Sequence, residues 1–485
     1  MLHKIDRTAY IDGCWLEPAG RDMAEHYSPH NRELLVGRSV RLTANDVDAA
    51  AAGAKQALVR WSRLSGAQRA AYLFRIAQRI EEDAEELAHL LTLEMGKPIG
   101  EARGEVARAV QLFRYYAGEG LRAIGEVLPS SDGVSHLYTT RVPLGVVGVI
   151  TPWNFPVAIP AWKIAPALIY GNTVVWKPAE HAAITAARLM RLFEASELPA
   201  GVVQLVTGTG AEVGQRIIEH PDVTGVSFTG SDTVGKRVAQ TAAARHAKYQ
   251  LEMGGKNATI VLADADLARA ADTILSAAMR SAGQKCTATS RVIVEASVKE
   301  PLTAMLIERA RSIKLSSPFE NDCFLGPVVS RMQYDSILNR IDDGVRGGAR
   351  LLAGGKAKTD GEFAKGYYIE PTIFDRVDPE DPLVQEEVFG PVLAVQEADD
   401  AEHAIELANN VRYGLAASVF TNNYSHIHAF VNGIEAGLVK VNGETAGVEL
   451  QAPFGGMKLS SSYSREQGRA AIDFFTQIKT VIVSP

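Results

Sequence analysis

The sequence predicts an α/β protein with two parallel sheets and a small β arm. At 485 residues the chain is longer than one hydrophobic core usually organises, so we expect more than one domain. From Val142 onwards short apolar strands alternate with helices, which is the pattern of repeated βαβ units. A β-rich segment, Ile124–Val142, is broken at Ser130–Gly133 and is typical of a hairpin that leaves the main body.

Helical patterns come first along the chain, within residues 43–121. Thr43–Val59 is alanine-rich after a Thr-x-x-Asp start, and Gln68–Thr92 repeats apolar residues at helical spacing. Glu and Arg occupy the opposite face of the second segment. Both segments are therefore predicted to be surface helices.

Two series of strands follow. The first has strands at Gly145–Ile150, Thr173–Trp176, Val202–Val206 and Gly225–Phe228, with helices near 158–170, 182–196, 211–219 and 233–245. The second begins after Asn257, with strands at Ala258–Leu262, Arg291–Glu295 and Ala394–Gln396, and a last strand is predicted at Lys479–Val483. Because strands joined by helices usually run parallel, each series predicts a parallel sheet with covered faces.

Composition excludes several classes of protein. Hydrophobic residues make up 46% of the chain and charged residues 22%, which is not the composition of a disordered protein. The net charge is −7, from 50 basic and 57 acidic residues without a basic block, so no nucleic-acid partner is expected. Three distant cysteines suit neither a disulfide framework nor a metal site. Since Met1–Gly13 lacks the apolar core of a signal peptide, we expect a cytoplasmic protein.

One uncharged run, Val142–Trp162, is about as long as a membrane-spanning helix needs to be. It contains four prolines, which remove or block too many backbone hydrogen bonds for a helix exposed to lipid. A buried strand followed by a loop is the preferred interpretation. We therefore expect no membrane partner.

Two predicted strands are followed by glycine-rich turns. Gly208–Gly214 is one residue longer than the dinucleotide fingerprint, and Gly230–Arg237 opens the next helix. Backbone amides approach phosphate closely in such turns, which favours Rossmann-like dinucleotide binding, although a purely structural role for the glycines is equally open. The second turn also matches seven positions of a P-loop, but Arg237 replaces the Ser or Thr that would ligate magnesium, which weakens the alternative of an NTPase.

Lys177 and Glu180 lie just past the strand Thr173–Trp176, at the edge where α/β sheets bind ligands. A carboxylate there can bind ribose hydroxyls and repel a 2′-phosphate. The alternative is a solvated start of a helix, where Glu is favoured in any case.

Cys286 is the best candidate nucleophile. It lies in the polar loop Gly283–Thr287 beside Lys285, whose charge can favour an exposed thiolate. Cys14 and Cys323, each followed by an aromatic residue, are interpreted as small packing residues.

Glu252 and Asn154 are candidate partners of this cysteine. Glu252 ends an apolar segment and precedes two glycines, so partial burial would raise its pKa and suit a general base, but a solvated Glu beside a turn is equally open. Asn154 offers an amide donor for an oxyanion in the proline-bracketed loop Thr151–Pro156.

Seven motifs occur in the order and at the spacing of the aldehyde dehydrogenase superfamily, which the chain resembles over essentially its whole length. They are Thr151–Pro156, Lys177–Glu180, Phe228–Gly235, Leu251–Asn257, Gly283–Thr287, Glu386–Val392 and Pro453–Gly456. The resemblance implies oxidation of an aldehyde through a thiohemiacetal and a thioester. It implies Cys286 as the nucleophile, Asn154 with the Cys286 backbone N–H as the oxyanion site, and Glu252 as the base that activates water.

The resemblance also implies NAD as cofactor, with NADP possible because some members use both. The residues implied to bind it are Thr151, Pro152, Trp153, Lys177, Glu180, Gly210, Phe228, Gly230, Ser231, Gly235, Met253, Glu387 and Phe389. Three units are implied: a NAD-binding domain at 1–123 and 144–250, a catalytic domain at 251–458, and an oligomerisation arm at 124–143 and 471–485. A homo-oligomer, dimer or tetramer, is expected by the same analogy.

Within the superfamily the chain is most similar to α-ketoglutaric semialdehyde dehydrogenases, and then to succinate-semialdehyde dehydrogenases. The segments that carry this likeness are Gly283–Arg291, Thr445–Val448 and Ser461–Gly468. Such substrates carry a carboxylate remote from the aldehyde, and Arg280 is the candidate cation for it. An arginine that serves the helix dipole is the equal alternative.

The match to a dicarboxylate pocket is only half complete. Trp162 stands where succinate-semialdehyde enzymes usually have a second arginine, and Glu449 stands where they have a serine. Phe155, Trp162 and Phe454 would instead form an aromatic-walled tunnel, so a less polar aldehyde is the alternative substrate.

Overall fold

The computed structural model describes residues 7–485. Residues 1–6, which form part of the segment interpreted as lacking a signal peptide, lie outside that range. Within the described range no helix is long and apolar enough to cross a membrane. The uncharged run Val142–Trp162 ends one strand, forms the next, and then enters a helix.

Within residues 7–485, α-helices occur both before and after the glycine turns along the chain. They are α1 (Ala44–Trp61), α2 (Gly66–Glu82), α3 (Ala84–Met95), α4 (Ile99–Glu119), α5 (Ala158–Ile169), α6 (Ala183–Ala195), α7 (Gln215–Glu219), α8 (Asp232–Ala244), α9 (Leu267–Met279), α10 (Lys299–Ser312), α11 (Arg331–Arg346), α12 (Pro382–Gln385), α13 (Ala401–Asn409), α14 (Tyr424–Gly433) and α15 (Ala471–Phe475). A π-helical turn, Gly210–Gly214, leads directly into α7.

The strands of the same range are β1 (Tyr10–Ile11), β2 (Cys14–Trp15), β3 (Met23–Tyr27), β4 (Leu35–Val40), β5 (Val127–Leu128), β6 (His136–Pro143), β7 (Val146–Thr151), β8 (Thr173–Pro178), β9 (Val203–Leu205), β10 (Val223–Thr229), β11 (Lys248–Glu252), β12 (Ala258–Val261), β13 (Arg291–Glu295), β14 (Arg350–Ala353), β15 (Ala357–Lys358), β16 (Tyr368–Ile369), β17 (Thr372–Asp375), β18 (Val392–Ala398), β19 (Tyr413–Gly414), β20 (Ala416–Phe420), β21 (Leu438–Val441), β22 (Met457–Lys458) and β23 (Thr476–Val483).

The first large sheet has the strand order β11-β10-β7-β8-β9-β1-β2. Strands β7 to β11 run parallel, and the short β1 and β2 close one edge antiparallel. The central strands are buried along almost their whole length, as parallel strands covered on both faces must be. This sheet confirms the predicted α/β fold class.

The second large sheet has the order β14-β17-β18-β13-β12-β20-β21 and is parallel except for the edge strand β14. Two parallel-strand sheets are therefore present, as the two alternating series predicted. The loops that carry Cys286 and Glu387 lead into β13 and β18 of this sheet.

The predicted hairpin is also present. Strand β5 pairs with β6, and β6 pairs over its full length with β23, from Thr476 opposite Pro143 to Val483 opposite His136. The three strands form a separate small sheet, which we call the β arm. Val127 is 89% exposed and Ile478 63% exposed, so the arm carries apolar side chains that nothing in the described chain covers.

The helical segment predicted at Gln68–Thr92 is two helices rather than one. Asp83 leaves helical geometry, with φ −100° and ψ 10°, and separates α2 from α3. Its carboxylate accepts hydrogen bonds from the guanidinium of Arg188 on α6. The tertiary contact therefore fixes a break that the apolar periodicity of the sequence does not contain.

Candidate active site

Two adjoining cavities lie at the carboxyl ends of the first sheet, at the edge where ligands bind in open α/β sheets. The larger, about 400 Å³, is lined by residues that include Thr151, Pro152, Trp153, Lys177, Gly210, Phe228, Gly230 and Ser231. The smaller, about 230 Å³, is lined by residues that include Pro152, Trp153, Asn154, Gly230, Ser231, Met253, Cys286, Glu387 and Phe389. Because some residues line both cavities, the two cavities join into one elongated cleft, and Cys286 lies in its smaller part. Two larger cavities, about 560 and 510 Å³, contain none of the predicted site residues.

The glycine turn after β10 lines both cavities with Gly230 and Ser231. Ser231 caps α8, so the helix N-terminus and its free amides face the cleft. A Cβ on Gly230 would lie 2.6 Å from the Phe228 ring, so only glycine fits there. Gly210 has open space on its Cα. An elongated cleft with a helix N-terminus at its middle suits a nicotinamide dinucleotide.

Gly235 and Glu180 are the two predicted cofactor residues that line neither cavity within the described chain. A Cβ on Gly235 would lie 2.3 Å from Met253 Sδ, so this glycine allows α8 to pack on Met253. Glu180 is half-buried beside the cavity residue Ala179. Burial lowers the pKa of the neighbouring Lys177 to about 8, and the Glu180 carboxylate opposes that shift. Lys177 Nζ donates to Pro178 O at 3.0 Å.

The loop that carries Cys286 is held to the second sheet by one amide. Asn257 Nδ2 donates to the carbonyl oxygens of Cys286 and Ala288, both at 2.8 Å, while Asn257 Oδ1 accepts from Ala416 N. The thiol itself is half-buried and lines the smaller cavity. Its position in the cleft is thus fixed by contacts that the polar loop sequence does not reveal.

The pKa of the Cys286 thiol corrects one expectation. Burial raises it to about 12, and the nearby carboxyl groups of Glu387 and Glu252 add to the rise. The sequence predicts an exposed thiolate favoured by Lys285, whereas the structure half-buries the thiol among groups that favour its protonated form. Cys323 is buried as predicted, but Cys14 is exposed because its short strand β2 lies at the edge of the first sheet.

Asn154 lines the same cavity as Cys286. Its Nδ2 donates to Gln284 O at 3.0 Å, which leaves the second amide hydrogen free, and its buried Oδ1 has no partner within residues 7–485. Its backbone oxygen accepts from Lys97 Nζ at 2.8 Å, and Lys97 pairs with Glu105 in the interior. A buried ion pair thus holds the loop that presents the amide.

Glu252 ends β11 and is 2% exposed. Ser461 Oγ donates to Oε2 at 2.6 Å, while the buried Oε1 has no partner within the described chain. Burial raises the pKa of this carboxyl well above its ordinary value, and the charge of Glu466 raises it further. A solvated position beside a turn, the alternative interpretation of the sequence, is excluded.

Glu466 and Lys163 are charged residues of the site that sequence reasoning missed. They form a buried ion pair, and Glu466 Oε2 also accepts from Trp162 Nε1 at 2.7 Å. Ser227 Oγ accepts from Lys163 Nζ at 2.9 Å. The available signal was Lys163, a lone charge in the otherwise apolar helix α5.

Glu387 and Phe389 close the far side of the smaller cavity. Glu387 Oε1 accepts from Gly255 N at 3.1 Å, and burial raises the pKa of this carboxyl to about 7. Phe389 has φ +54° and meets the Trp153 ring edge-to-face at 5.4 Å, while Gln333 Nε2 donates to its carbonyl oxygen. A positive φ on a bulky residue stores strain, which the surrounding contacts must maintain.

Three aromatic residues predicted for the substrate side lie near these groups. The rings of Trp162 and Phe454 are 5.4 Å apart, and Phe454 belongs to the apolar cluster against which Cys286 and Val448 pack. The Phe155 ring lies 3.7 Å from Lys97 Nζ. An apolar wall therefore adjoins the thiol.

Arg280 is not brought to this wall, which corrects the prediction of a carboxylate anchor there. Its guanidinium is exposed, lies 4.8 Å from the centre of the Phe324 ring, and donates through Nε to Ser276 Oγ. The physical reason is the backbone after α9: Ser281 and Ala282 both adopt positive φ, so the chain turns away between Arg280 and Cys286.

A thiol and a side-chain amide line one cavity, next to a cleft that suits a dinucleotide, and the buried carboxyl group of Glu252 directly precedes the cavity residue Met253 in the chain. Such a set can attack a carbonyl, hold the resulting oxyanion and activate water for hydrolysis of a thioester. Both large sheets contribute to this arrangement, because Asn154 follows a strand of the first sheet, Glu252 ends another, and Cys286 precedes a strand of the second.

Comparisons with known proteins agree with this geometry. The sequence profile of the Aldehyde dehydrogenase family matches residues 15–481. The chain is 52% identical over 476 residues to the α-ketoglutaric semialdehyde dehydrogenase of Bacillus subtilis, covering 98% of each chain, and 39% identical to the 2,5-dioxopentanoate dehydrogenase of Saccharolobus solfataricus, covering 96% of this chain and 97% of that one. A crystal structure of betaine aldehyde dehydrogenase from Staphylococcus aureus in complex with NAD+ is similar at a TM-score of 0.96 and 34% identity, covering 99% of this chain and 94% of that one. The likeness to semialdehyde dehydrogenases that the motifs indicated is thus confirmed.

Proposed function

Since the chain belongs to the aldehyde dehydrogenase family, we propose that it oxidises a short aldehyde with a remote carboxylate, such as α-ketoglutaric or succinic semialdehyde, to the acid. The main support for this reaction is that the larger cavity, which suits a dinucleotide, joins the smaller cavity that is lined by Cys286 and Asn154. The names of the relatives support the substrate class. The alternative is another small anionic or less polar aldehyde, favoured by the aromatic wall.

In the proposed reaction the Cys286 thiol loses its proton to solvent, and Sγ then forms a bond to the aldehyde carbon while the carbonyl π electrons move to the oxygen. The oxyanion of the thiohemiacetal accepts hydrogen bonds from Asn154 Nδ2 and from the Cys286 backbone N–H. Bound NAD, or NADP, supplies the acceptor for the hydride that leaves this carbon. Glu252 then removes a proton from water, which hydrolyses the thioester and releases the acid.

We propose the following roles for the walls of the cleft. Lys177 and Glu180 would bind the adenosine ribose, and the turn at Gly230 and Ser231 would face the phosphates. Glu387 and Phe389 would position the nicotinamide half. The places of Lys177, Gly230, Ser231, Glu387 and Phe389 along the two cavities support this order, and Glu180 lies next to the cavity residue Ala179.

We also propose the division into a cofactor domain, a catalytic domain and an oligomerisation arm, with the boundaries given above. The exposed apolar side chains of the β arm support a homo-oligomer, dimer or tetramer. Three free cysteines support a reducing, cytoplasmic compartment.

The test is oxidation of a panel of aldehydes with NAD and with NADP, followed by absorbance of the reduced cofactor. We expect turnover of carboxylated semialdehydes in wild type and none above background in Cys286→Ala, because no other thiol lines the cleft within residues 7–485. Cys14→Ala, which changes an exposed thiol, is the matched control. Turnover by Cys286→Ala would contradict the proposed nucleophile.

A further inference from the structure

Glu94, in the last turn of α3, is a buried carboxyl group to which the proposed reaction gives no role. Its residue is 4% exposed. Oε1 accepts from Ile184 N at 2.8 Å, and Oε2 accepts from Thr185 N at 2.7 Å and from Thr185 Oγ1 at 2.5 Å. All three donors belong to the first turn of α6, so this side chain of one helix binds the start of another.

Helix α6 has no capping side chain of its own. The N–H groups of a first helical turn need partners from outside the helix, and the N-cap side chain usually supplies one. Here the N-cap residue is Ala182, which has no side-chain acceptor. Glu94 supplies the partners instead, and its negative charge suits the positive end of the helix dipole. The start of α6 is therefore fixed by α3.

The turn between β8 and α6 contains Glu180, which is proposed above to bind the adenosine ribose. At the strand end of this turn, Ala179 N donates to Thr151 O at 2.8 Å, and both residues line the larger cavity. Within the turn, Ala182 N donates to Ala179 O at 3.0 Å. At the helix end, the chain enters the two amides that Glu94 binds. Glu180 thus lies between two fixed points, the cavity wall and the start of α6.

We propose that Glu94 is a positioning residue, which caps α6 and thereby holds Glu180 at the adenosine ribose, so that it sets the preference for NAD over NADP. This rests on the ribose site proposed above and extends that site to a residue of α3. Repulsion between the Glu180 carboxylate and a 2′-phosphate falls as the two charges separate. Movement of the turn would therefore weaken binding of the adenosine half and reduce the discrimination between the two cofactors.

The first experiment measures binding of AMP by calorimetry, because AMP carries only the adenosine half and its binding requires no turnover. Burial raises the pKa of the Glu94 carboxyl to about 7, so the titrations are made above that pH, where the group is ionised. We expect Glu94→Gln to weaken AMP binding about 10-fold, the equivalent of one hydrogen bond to a charged group, because an amide cannot accept from all three donors.

A milder variant keeps the test valid if Glu94→Gln folds poorly. Thr185→Val removes one of the three donors and keeps the shape of the side chain. We expect it to weaken AMP binding in the same direction and by a smaller factor. Unchanged AMP binding in both variants would overturn the proposal.

Steady-state kinetics give a readout that a loss of stability alone would not change. In Glu94→Gln the ratio of kcat/KM for NAD to that for NADP should fall, whereas KM for the aldehyde should stay the same. In a Glu180→Gln background, Glu94→Gln should lower this ratio no further, because it acts through Glu180. Equal losses with the two cofactors, or a further fall in the double variant, would contradict the proposal.

Asp266→Asn is the matched control, because it changes a carboxylate that caps another helix. Asp266 Oδ1 accepts from Arg269 N at 3.1 Å at the start of α9, and within the described chain neither residue lines the cleft. We expect this variant to keep the AMP affinity and the cofactor ratio of wild type, and the same changes in it as in Glu94→Gln would refute a specific role. A wild-type protein that oxidises no aldehyde with either cofactor would contradict the proposed function, while AMP binding still decides the role of Glu94.

Discussion

At the scale of single residues, the proposed hydrolysis of the thioester depends on Glu252 being buried and still able to ionise. Burial and the charge of Glu466 raise the pKa of its carboxyl well above the ordinary value, so the base form appears at higher pH than it does for an exposed glutamate. We expect Glu252→Gln to form the thioester but not to hydrolyse it. A burst of reduced cofactor no larger than the enzyme concentration, followed by a stall, is the expected stopped-flow result.

The pH profile gives a second readout for the same residue. In wild type the rate of thioester hydrolysis should increase with pH as Glu252 loses its proton, and in Glu252→Gln this increase should be absent. Ser461→Ala is the matched control, because it removes the hydrogen bond that favours the charged form but keeps the carboxyl. We expect it to move the profile to higher pH. Steady turnover by Glu252→Gln would show that another group is the base.

Single residues with distinctive chemistry could be predicted from the sequence, but their surroundings could not. A cysteine in a polar loop and an asparagine between prolines are visible as candidates. Whether a charge near them is paired depends on residues far along the chain, as with Glu466 and Lys163. Arg280 shows the limit most clearly, since three successive residues of positive φ decide which way the chain turns before Cys286.

At the scale of secondary-structure elements, the buried pair of Lys97 and Glu105 connects α4 to the loop before α5. Glu105 Oε1 accepts from the backbone N–H groups of Val157 and Ala158 at the start of α5. We expect Lys97→Met to lower the free energy of unfolding by about 3–5 kcal/mol, because it leaves a carboxylate buried without its cation. The urea midpoint measures this loss.

The double variant Lys97→Met with Glu105→Gln is the control. Removing both charges should cost less than the sum of the two single changes, since residues in contact are not additive. Arg79→Met removes one partner of an exposed pair with Glu82 and should change stability by less than about 1 kcal/mol. An equal loss in Lys97→Met and Arg79→Met would contradict the role of burial.

Elements with strong periodicity were predictable, and those defined by their neighbours were not. Strands β7, β8 and β10 follow from their apolar runs. Strand β11 was missed because Leu251 is the one aliphatic residue among its five, and its pairing with β10 is what makes it a strand. The break at Asp83 has the same origin, a contact made with another helix.

At the scale of the whole molecule, the β arm is the surface most suited to a second copy of the chain. Strand β23 is an edge strand, with Ile478 63% and Ile482 66% exposed. We expect Ile478→Asp to reduce the molar mass measured by light scattering after gel filtration to that of a smaller species. An unchanged mass would exclude this face as the interface.

Met332→Asp is the matched control for the arm. Met332 is an apolar residue, 73% exposed, in the first turn of α11, where an aspartate suits the helix dipole. We expect this variant to keep the molar mass of wild type. A loss of mass in both variants would indicate a general effect of added charge.

The overall architecture could be predicted because it depends on order along the chain. The order of the seven motifs and the two alternating series of strands and helices can be recognised from the sequence alone. The contacts that join them could not be predicted, because Asn257 and Gln333 hold segments far along the chain through hydrogen bonds of their side-chain amides.

Strand β6 is synthesised well before its partner β23, so the two strands cannot pair until translation of the chain is nearly complete. Strand β6 leaves the ribosome early, whereas its partner is separated from it by roughly 330 residues of chain. At typical translation speeds, the hairpin must wait on the order of tens of seconds with one edge open. During that interval nascent chains on one messenger RNA carry the same unpaired edge, and an unpaired strand edge is a surface on which another chain can pair.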